Sequence, residues 1–314
     1  MRFLFVMDPA ATMSPDKDTT FAFMRGALAR GHDCLHCLPR DLSNLGRDVF
    51  ARARPIRVMA EPPHTQLGVD ELFELAALDA VFIRKDPPFD SSYLHLTQQL
   101  ELCKDRVLVL NDPRGIRDAN EKLFAFEFAD LMPRSLVSSR RDEILDFVQT
   151  VGGTAVLKPL DGAGGAGVVV LSATDRNSRS LVDMLTREGT ELALVQEYQP
   201  EVRAGDKRVL LLDGEPLGAI LRIPREDDVR ANIHAGGQVV PTELTARERA
   251  IVIAMADGLR ARGLWFVGLD LIGEKLIEVN VTSPTGIQEL ARFTNQKPEE
   301  RVIAWAETHT KHRG

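Results

Sequence analysis

The chain has 314 residues, of which 44% are apolar and 27% charged, a composition typical of globular proteins with room for about two domains. Its 39 lysines and arginines against 46 aspartates and glutamates give a formal net charge of −7 without long runs of one sign, which argues against a nucleic-acid-binding surface. No apolar run is long enough to span a membrane, and residues 1–7 are too few and too soon followed by Asp8 for a signal peptide. We therefore expect a cytoplasmic protein without a membrane or nucleic-acid partner.

The first third of the chain alternates between short apolar runs and amphipathic stretches. Strands are predicted at residues 2–7, 34–38, 80–83 and 107–110, and helices at residues 19–30 and 92–104. The Arg- and Pro-rich residues 39–66 have weak periodicity and predict an irregular connection. The strand–helix alternation predicts a parallel sheet with helices on both faces, in which ligands bind beyond the carboxyl ends of the strands.

Cys34 and Cys37 form a C-x-x-C pair, with His32 and His36 beside them. A redox site of this type places its first cysteine at a helix N-terminus, whereas residues 34–38 predict a strand. A zinc site needs a second ligand pair, and the sequence contains no other Cys/His cluster. We therefore predict that both are reduced cysteines within a strand.

From Asn120 onward the pattern changes to hairpins and helices. The predicted helices are residues 121–129, 180–187 and 246–262. The predicted strands are residues 154–158, 168–172 and 192–198, followed by two antiparallel hairpins, 208–212 with 217–223 and 264–272 with 276–282. Hairpins followed by helices predict an α+β unit attached to the α/β first third.

A glycine-rich loop separates the first two of these strands. Gly162, Gly164 and Gly167 satisfy G-x-G-x-x-G, but a β-branched run follows them instead of the helix that a dinucleotide fold requires. A Walker A loop is excluded because no Gly-Lys-Ser/Thr follows. A strand–glycine loop–strand unit with the adjacent Lys158 predicts a flap that closes over ATP, with backbone N–H groups and the lysine binding phosphate. An ordinary glycine-rich hairpin is the alternative.

The last predicted strand carries a strict alternation of side chains. Three apolar residues are expected to face the core: Ile277, Val279 and Val281. Glu278, Asn280 and Thr282 share the other face. A carboxylate and an amide on one face, completed by Asp270 of the partner strand, are suitable ligands for Mg²⁺. A solvated strand face is the alternative, although an aspartate in the otherwise apolar run before it is costly to bury unpaired.

The length of the turn between these strands decides whether Asp270 reaches the predicted metal site. A two-residue turn at 273–274 would pair Leu269 with Glu278 and send Asp270 to the opposite face. A three-residue loop at 273–275 would pair Asp270 with Glu278. Two-residue turns are the commoner choice, but the proposed chemistry requires the three-residue loop, which we therefore predict.

Two arginines lie where a solvated charge is unexpected. Arg208 and Arg222 are in the strands of the first hairpin, each next to apolar residues. Arginine suits bidentate recognition of a carboxylate or phosphate. Structural salt bridges to Asp206 or Glu215 are the alternative for this pair.

The polar loop at residues 224–237 contains Arg225 and Arg230, for which plain surface charge is the alternative to a binding role. Adjacent glycines near its end could act as a hinge, so we expect a lid that is mobile without ligand, as is the glycine loop. His234 is predicted to be a lid residue and not a general base.

Seven segments, in order along the chain, resemble bacterial glutathione synthetases of the ATP-grasp superfamily, and the resemblance extends essentially from end to end. The segments are Val6-Met-Asp-Pro9, Arg84-Lys-Asp-Pro-Pro88, Asn120-Glu-Lys-Leu-Phe124, Leu157-Lys-Pro-Leu-Asp-Gly162, Gly205-Asp-Lys-Arg-Val209, Val267-Gly-Leu-Asp270 and Glu278-Val-Asn-Val-Thr-Ser-Pro284. The family joins γ-glutamylcysteine to glycine through an acyl phosphate while ATP becomes ADP and phosphate. The resemblance also implies a homo-oligomer, often a tetramer.

The fold implied by this resemblance has three parts. The first is an α/β N-terminal domain with a parallel sheet, at residues 1–119. The second is a strand–flap–strand lid subdomain of the ATP-grasp type, at residues 120–199. The third is an α+β subdomain with an antiparallel sheet for nucleotide and metal, at residues 200–314.

The resemblance further implies which residues bind each substrate. The nucleotide is expected to contact Lys122, Lys158, Gly162, Gly164, Gly165, Gln196, Glu197, Tyr198, Gln199 and Asp206. The dipeptide, its acyl phosphate and the acceptor are expected to contact Arg208, Arg222, Arg230, Asn232, Ser283 and Thr285, with Arg208 and Arg222 acting in catalysis. Magnesium, or manganese in its place, is expected at Asp270, Glu278 and Asn280.

Four positions depart from the family pattern: Ala163 in the flap, Gln199 at the hinge, and Val229 and Ala231 in the lid. Two other functions stay open. Another ATP-grasp carboxylate–amine ligase would keep the ATP and metal residues and alter the arginine set. A non-catalytic nucleotide-binding regulator would be expected to lose a metal ligand, and all three are present.

Overall fold

Three sheets, each made by a separate part of the chain, form the framework of the fold. The computed structural model describes residues 1–162, 164–225 and 237–310. The strands of the first sheet are β1 (Arg2–Met7), β2 (Asp33–Cys37), β3 (Leu42–Leu45), β4 (Asp48–Val58), β5 (Thr65–Leu67), β6 (Glu71–Glu74), β7 (Ala80–Arg84) and β8 (Leu108–Leu110). The helices of this part are α1 (Thr19–Ala29), α2 (Ser91–Glu101) and α3 (Pro113–Asp118).

The first sheet has the order β3-β4-β2-β1-β7-β8, in which β2, β1, β7 and β8 run parallel. Side chains of β1 alternate between two cores: Phe3 and Phe5 pack in the same core as α1, whereas Leu4 and Val6 pack in the same core as α2. Because a strand sends successive side chains to opposite faces, the two cores lie on the two faces of the sheet. The predicted parallel sheet with helices on both faces is confirmed for these four strands, whereas β4 pairs antiparallel with β2, β3, β5 and β6, which makes the whole sheet mixed.

The predicted irregular connection at residues 39–66 is wrong, because β3, β4 and the start of β5 lie within it. Val49, Ala51 and Ala53 of β4 are buried, and the arginines at 52 and 54 between and beside them are exposed. The alternation of buried and exposed residues that is typical of a strand was therefore present in the sequence. It was hard to recognise because alanine, at two of the buried positions, is only weakly apolar.

The second sheet contains the predicted strand–glycine loop–strand unit. Its strands are β9 (Ser135–Ser138), β10 (Thr154–Pro159), β11 (Val169–Ser172) and β12 (Ala193–Glu197), in the antiparallel order β11-β10-β12-β9. Helices α4 (Arg141–Thr150) and α5 (Ser178–Leu185) pack against it and share its apolar core. β9 was not predicted.

The helix predicted at residues 121–129 is instead a 3₁₀ helix at Phe124–Leu131, and Phe128 departs from helical dihedral angles. The side chain of Asn120 accepts hydrogen bonds from the backbone N–H groups of Lys122 and Leu123, both at 3.0 Å. Such a side-chain turn competes with a regular α-helix for these donors.

The third sheet is antiparallel and contains both predicted hairpins. Its strands are β13 (Asp206–Leu212), β14 (Glu215–Ile223), β15 (Gln238–Thr242), β16 (Phe266–Ile272) and β17 (Lys275–Asn280), in the order β15-β14-β13-β16-β17. The accompanying helices are α6 (Ala246–Ala261), α7 (Ile287–Thr294) and α8 (Pro298–His309). In the described part of the chain, no helix has the length and apolar character needed to cross a membrane.

The cores connect the three predicted domains in two places. Val302 and Ile303 of α8 belong to the same core as Phe3 and Phe5 of β1, and the last helix packs against α1. Residues 119–132, assigned by the prediction largely to the lid subdomain, supply apolar side chains to the core of the third sheet. The boundaries at 119 and 199 stay a prediction.

A buried amide fastens the first sheet to the third. The side-chain nitrogen of Asn111 donates to the carbonyl oxygens of Phe266 and Val281, both at 2.8 Å, and its side-chain oxygen accepts from the Phe266 N–H at 2.7 Å. The amide is therefore satisfied by backbone groups of β16 and of the residue that follows β17. Asn111 directly follows β8, so these hydrogen bonds join the edge of the first sheet to the third sheet.

Replacing Gly115 with alanine should lower the free energy of unfolding by about 1–3 kcal/mol. Gly115 in α3 lies so close to the turn after α6 that an added Cβ would overlap the backbone carbonyl oxygen of Arg262. Urea unfolding followed by circular dichroism measures the change. Arg114→Ala in the same helix is the control, because its side chain is exposed and a surface change of this kind stays within about 0.5 kcal/mol. Equal stability of the two variants would contradict the close packing.

Candidate active site

The β16–β17 hairpin brings Asp270 opposite Glu278, as predicted, but by a different route. The turn is a two-residue one, with Ile272 paired to Lys275 and both Gly273 and Glu274 at positive φ. The predicted three-residue loop is therefore wrong. A register shift between Asp270 and Leu271 restores the pairing, since Leu271 pairs with Leu276 and Asp270 pairs with Glu278. Ile277 is the extra residue of a β-bulge.

The bulge also changes which side chains face the core. Leu276, Val279 and Val281 belong to the core of the third sheet. Ile277 was predicted to join that core, but it lines a cavity together with Ile272. A bulge inserts one residue into the alternation, so the side-chain pattern before it is out of phase with the pattern after it. The prediction for Ile277 is wrong for this reason.

This first cavity lies between the second and third sheets, and all ten residues predicted to contact the nucleotide line it. They are Lys122, Lys158, Gly162, Gly164, Gly165, Gln196, Glu197, Tyr198, Gln199 and Asp206. Apolar side chains from the strands on either side of the glycine loop, including Val156 and Val170, form another part of its wall. A mostly apolar cavity with a few convergent polar groups is typical of a small-molecule site.

Two lysines project into the first cavity. Lys122 Nζ donates to the carbonyl oxygens of Gly162 at 2.6 Å and Leu160 at 3.3 Å, and lies 3.3 Å from Glu278 Oε1. Lys158 Nζ donates to Gln196 Oε1 at 3.0 Å. Burial lowers the pKa of Lys158, and the negative charge of Glu278 partly opposes this. These contacts hold both cations beside the glycine loop.

The glycine loop has a backbone that favours glycine. Gly164, Gly165 and Gly167 have φ values of 62°, 81° and 73°. Residues other than glycine rarely adopt such positive φ angles. Residue 163, one of the departures from the family pattern, lies outside the described residues.

Arg208 and Arg222 form a buried ionic network with two aspartates. Arg208 donates through Nε and Nη2 to Asp270, at 2.5 and 3.0 Å. Arg222 Nη2 lies 2.5 Å from Asp206 Oδ2 and 2.9 Å from Asp270 Oδ1. Strand pairing explains the geometry, since Arg208 is directly opposite Asp270 and Asp206 is directly opposite Arg222. The alternative of an Arg222–Asp206 salt bridge is confirmed, whereas Glu215 contacts Arg260 instead.

The two aspartates of this network have pKa values shifted in opposite directions. Burial alone would raise the pKa of Asp270, but the charges and hydrogen bonds of Arg208 and Arg222 hold it well below its usual range. Burial raises the pKa of Asp206 to about 6, against the opposing charge of Arg222. Among the described residues, Asp206 Oδ1 and Arg222 Nε are buried without a hydrogen-bond partner.

A second cavity shares part of its wall with the first. Gly164, Asp270 and Glu278 line both cavities. The second cavity is also lined by several residues predicted to bind metal or substrate: Arg208, Arg222, Asn280, Ser283 and Thr285. The structure thus brings Asp270 and Glu278, two of the three predicted metal ligands, to the boundary between the cavities, and places Asn280 in the wall of the second.

Several predicted lid residues lie outside the part of the chain that the structure describes. Arg230, Asn232 and His234, together with most of the predicted lid, belong to residues 226–236. Arg225, at the start of the loop, is described and exposed, as expected for surface charge.

Glu121 is a site residue that the sequence reasoning missed. It lines the second cavity, and its Oε1 accepts a hydrogen bond from Thr282 Oγ1 at 2.8 Å. Burial and the nearby charge of Glu278 raise its pKa. The sequence indicated a special role for this carboxylate, since Glu121 directly precedes Lys122 and is followed by an apolar, aromatic segment.

The predicted metal ligands offer oxygen atoms that suit a hard divalent cation. Asp270 and Glu278 are direct cross-strand neighbours, and Asn280 Nδ2 donates to Asp270 Oδ2 at 3.3 Å. Within the described ranges, no group of three His, Cys, Asp and Glu side chains could hold a metal ion. The set therefore depends on the Asn280 amide as its third member, which is compatible with Mg²⁺ and its preference for oxygen.

Cys34 and Cys37 are buried and free, as the strand prediction expected. Burial raises the pKa of Cys34 to about 12 and raises that of Cys37 as well. Cysteines with raised pKa values in apolar surroundings are poor nucleophiles.

Comparison with known proteins gives matches over nearly the whole chain. The family model described as "Prokaryotic glutathione synthetase, N-terminal domain" matches residues 1–117, and the model of the ATP-grasp domain of the same family matches residues 121–295. A glutathione synthetase from Gloeobacter violaceus is 42% identical over 99% of this chain and 98% of its own. One from Agrobacterium fabrum is 44% identical over 91% of this chain and 90% of its own.

Solved structures with a similar fold are more distant in sequence. The D-cycloserine synthetase DcsG superposes with a TM-score of 0.69 at 15% identity, covering 98% of this chain and 99% of its own. The ATP-grasp ligase PsnB, solved with a minimal precursor, Mg and ADP, gives a TM-score of 0.63 at 17% identity, covering 98% and 97%. These similarities concern the fold.

Proposed function

Since the chain belongs to the prokaryotic glutathione synthetase family, we propose that it joins the cysteinyl carboxyl group of γ-glutamylcysteine to the amine of glycine. The protein is an ATP-dependent carbon–nitrogen ligase with the ATP-grasp fold. The observation that carries the proposed chemistry is the shared wall of the two cavities, made by Gly164, Asp270 and Glu278. A phosphoryl donor in the first cavity and a carboxylate acceptor in the second would meet at this wall.

The nucleotide is proposed to occupy the first cavity. Lys122 and Lys158 are held beside the glycine loop, where they would neutralise phosphate charge. The hinge residues from Gln196 to Gln199 line the same cavity and would contact adenine, while Asp206 would contact the ribose. Backbone N–H groups of the loop would complete the phosphate site.

A divalent cation, proposed to be Mg²⁺ with Mn²⁺ as a possible substitute, would be held by Asp270, Glu278 and Asn280. When bound it would neutralise phosphate charge during phosphoryl transfer. The pairing of Asp270 directly opposite Glu278 in the β16–β17 hairpin supports this proposal.

The dipeptide and glycine are proposed to occupy the second cavity, where Ser283 and Thr285 would contact the acceptor. The cysteinyl carboxylate takes the γ-phosphoryl group of ATP, and the amine of glycine then attacks the acyl phosphate and releases phosphate. Arg208 and Arg222 would orient the carboxylate and stabilise the oxyanion formed during attack. Arg230 and Asn232 are proposed to contribute from the lid. Closure of flap and lid would protect the acyl phosphate from water.

The assembly and location of the protein are also part of the proposal. Its family suggests a homo-oligomer, proposed to be a tetramer, in the cytoplasm. We propose no membrane or nucleic-acid partner.

Phosphate release provides the test of this function. ATP turnover should require γ-glutamylcysteine and glycine together, and mass spectrometry should detect glutathione. Turnover with another amine in place of glycine would show a different ATP-grasp ligase. Nucleotide binding without turnover on any amine of a broad panel would favour a regulator.

A further inference from the structure

One end of the second cavity, formed by the N-terminal domain together with α7, carries charges of both signs. It is lined by Lys17, Asp18, Arg84, Asp86 and Glu289, and the proposed chemistry uses none of them. We infer that this end is a subsite for a free α-amino-acid group, with Arg84 binding the carboxylate and Glu289 binding the ammonium. The inference rests on the proposed function, and it assigns the subsite to the γ-glutamyl end of the dipeptide.

Arg84 is a fixed cation that contacts no charged partner among residues 1–162, 164–225 and 237–310. Its Nε donates to Thr20 Oγ1 at 3.0 Å and its Nη2 to the carbonyl oxygen of Pro284 at 3.1 Å. Its guanidinium also lies 5.5 Å from the centre of the Phe23 ring and 5.8 Å from that of Phe266. It forms no ion pair with a residue of the described ranges, and it is only 5% exposed. A buried arginine stays protonated, so an incoming carboxylate would supply the missing counter-charge.

Glu289 is a buried anion with one unsatisfied oxygen. The residue is 3% exposed, and its Oε1 accepts a hydrogen bond from Arg292 Nη2 at 3.2 Å. Its Oε2 is buried and has no hydrogen-bond partner within the described part of the chain. A buried acceptor without a donor is costly. An ammonium group entering this end of the cavity would provide the donor.

Asp18 adds a second fixed carboxylate to the same wall. Its Oδ1 accepts hydrogen bonds from the N–H groups of Thr20 and Phe21, which caps α1 and holds the side chain in place. Arg84 is tied to Thr20, so the cation and this carboxylate are fixed by the same helix terminus. A wall with both signs of charge suits a zwitterion better than a simple anion.

The backbone places Arg84 next to the arginine network of the proposed reaction. Arg84 binds the carbonyl oxygen of Pro284, and Arg208 Nη1 binds that of Thr285 at 3.2 Å. The Cα atoms of consecutive residues such as Pro284 and Thr285 are only about 3.8 Å apart, so both arginines border the same short stretch of the cavity wall. A γ-glutamyl dipeptide has one carboxylate at each end, and the two arginines could hold one each.

This placement would let the enzyme read the linkage of its substrate. A γ-peptide bond uses the side-chain carboxyl group of glutamate, so the α-ammonium and α-carboxylate remain together on one carbon. In α-glutamylcysteine that α-carboxylate is consumed by the peptide bond. In N-acetyl-γ-glutamylcysteine the ammonium charge is lost. Both compounds should therefore bind less well than γ-glutamylcysteine.

The experiment compares three ligands by calorimetry with the full-length protein, using γ-glutamylcysteine, its α-linked isomer and its N-acetyl derivative. Glu289→Gln should weaken binding of γ-glutamylcysteine about ten- to hundredfold, the loss expected for one charge-assisted hydrogen bond. Binding of the N-acetyl derivative should hardly change, so the preference between these two ligands should fall towards one. In steady-state assays, the KM for γ-glutamylcysteine should rise while that for ATP stays unchanged.

Glu299→Gln is a matched control outside both cavities. Glu299 is also buried, pairs one oxygen with Arg25 at 2.9 Å and leaves Oε2 without a partner among the described residues. It should keep the wild-type ligand preference whatever its effect on stability. A Glu289→Gln protein that keeps the full preference, or a wild-type protein without one, would overturn the subsite. A clear binding preference without ligation activity would instead contradict the proposed function alone.

Discussion

Replacing Lys158 with alanine should lower the rate of ATP-dependent ligation by at least about a hundredfold, the effect of removing one preorganised donor to a developing charge. Lys158 is partly buried beside the glycine loop, and its Nζ donates only to the neutral Gln196 side chain among the described residues. Its charge is therefore available to phosphate. Single-turnover phosphate release measures the rate, and circular dichroism checks that the fold persists.

The control for this substitution is Lys207→Ala. Lys207 has a mostly buried side chain, lies outside both cavities and pairs with Glu248 at 2.7 Å. Its removal should change stability without changing nucleotide affinity. Near-normal ligation by the Lys158 variant would show that this lysine is a structural residue, and the proposed phosphate site would lose one of its two cations.

Replacing Asp270 with asparagine should abolish ligation and lower the free energy of unfolding by about 3–5 kcal/mol. The carboxylate contacts both Arg208 and Arg222, and all three groups are buried. Without it, Arg208 has no ion-pair partner in the described residues and Arg222 keeps only Asp206. Chemical denaturation measures the loss of stability, and Mn²⁺ binding followed by electron paramagnetic resonance measures the proposed metal site.

Asp70→Asn is the matched control, since Asp70 pairs with Arg52 on the surface. An exposed pair of this kind contributes about 0–1 kcal/mol. Similar small losses for both variants would mean that the buried network contributes little to stability. Unchanged Mn²⁺ binding in the Asp270 variant would remove this residue from the metal site.

Much of the fold could be predicted because strands that are buried on both faces are continuously apolar and differ clearly from the polar segments around them. The alternating cores around β1 are an example, since Phe3 to Val6 are apolar without interruption. β4 was not predicted because two of its buried positions, Ala51 and Ala53, are weakly apolar and alternate with exposed arginines. The 3₁₀ helix that begins at Phe124 escaped because the capping by Asn120 is a local hydrogen-bond choice.

In the candidate site, the identity of many residues could be predicted, but their exact strand register could not. The resemblance to a known family indicated ten residues that line one cavity, and the pairing of Asp270 with Glu278 followed from the chemistry required of it. The bulge at Ile277 could not be predicted, because no residue type in Glu274 to Glu278 demands it. The partner of Arg208 was missed as well. It depends on the cross-strand register of β13 with β16, which are far apart in sequence.

Helix α8, near the end of the chain, completes a core that contains residues from its beginning. Val302, Ile303 and Ala306 complete the core that contains Phe3 and Phe5, so the core on the α1 side of the first sheet is completed by residues translated about 300 positions later. On the ribosome, the apolar surface that α8 covers stays exposed until almost the whole chain has emerged. The first domain to be translated is thus among the last to be completed, and its exposed apolar surface is open to aggregation during that interval.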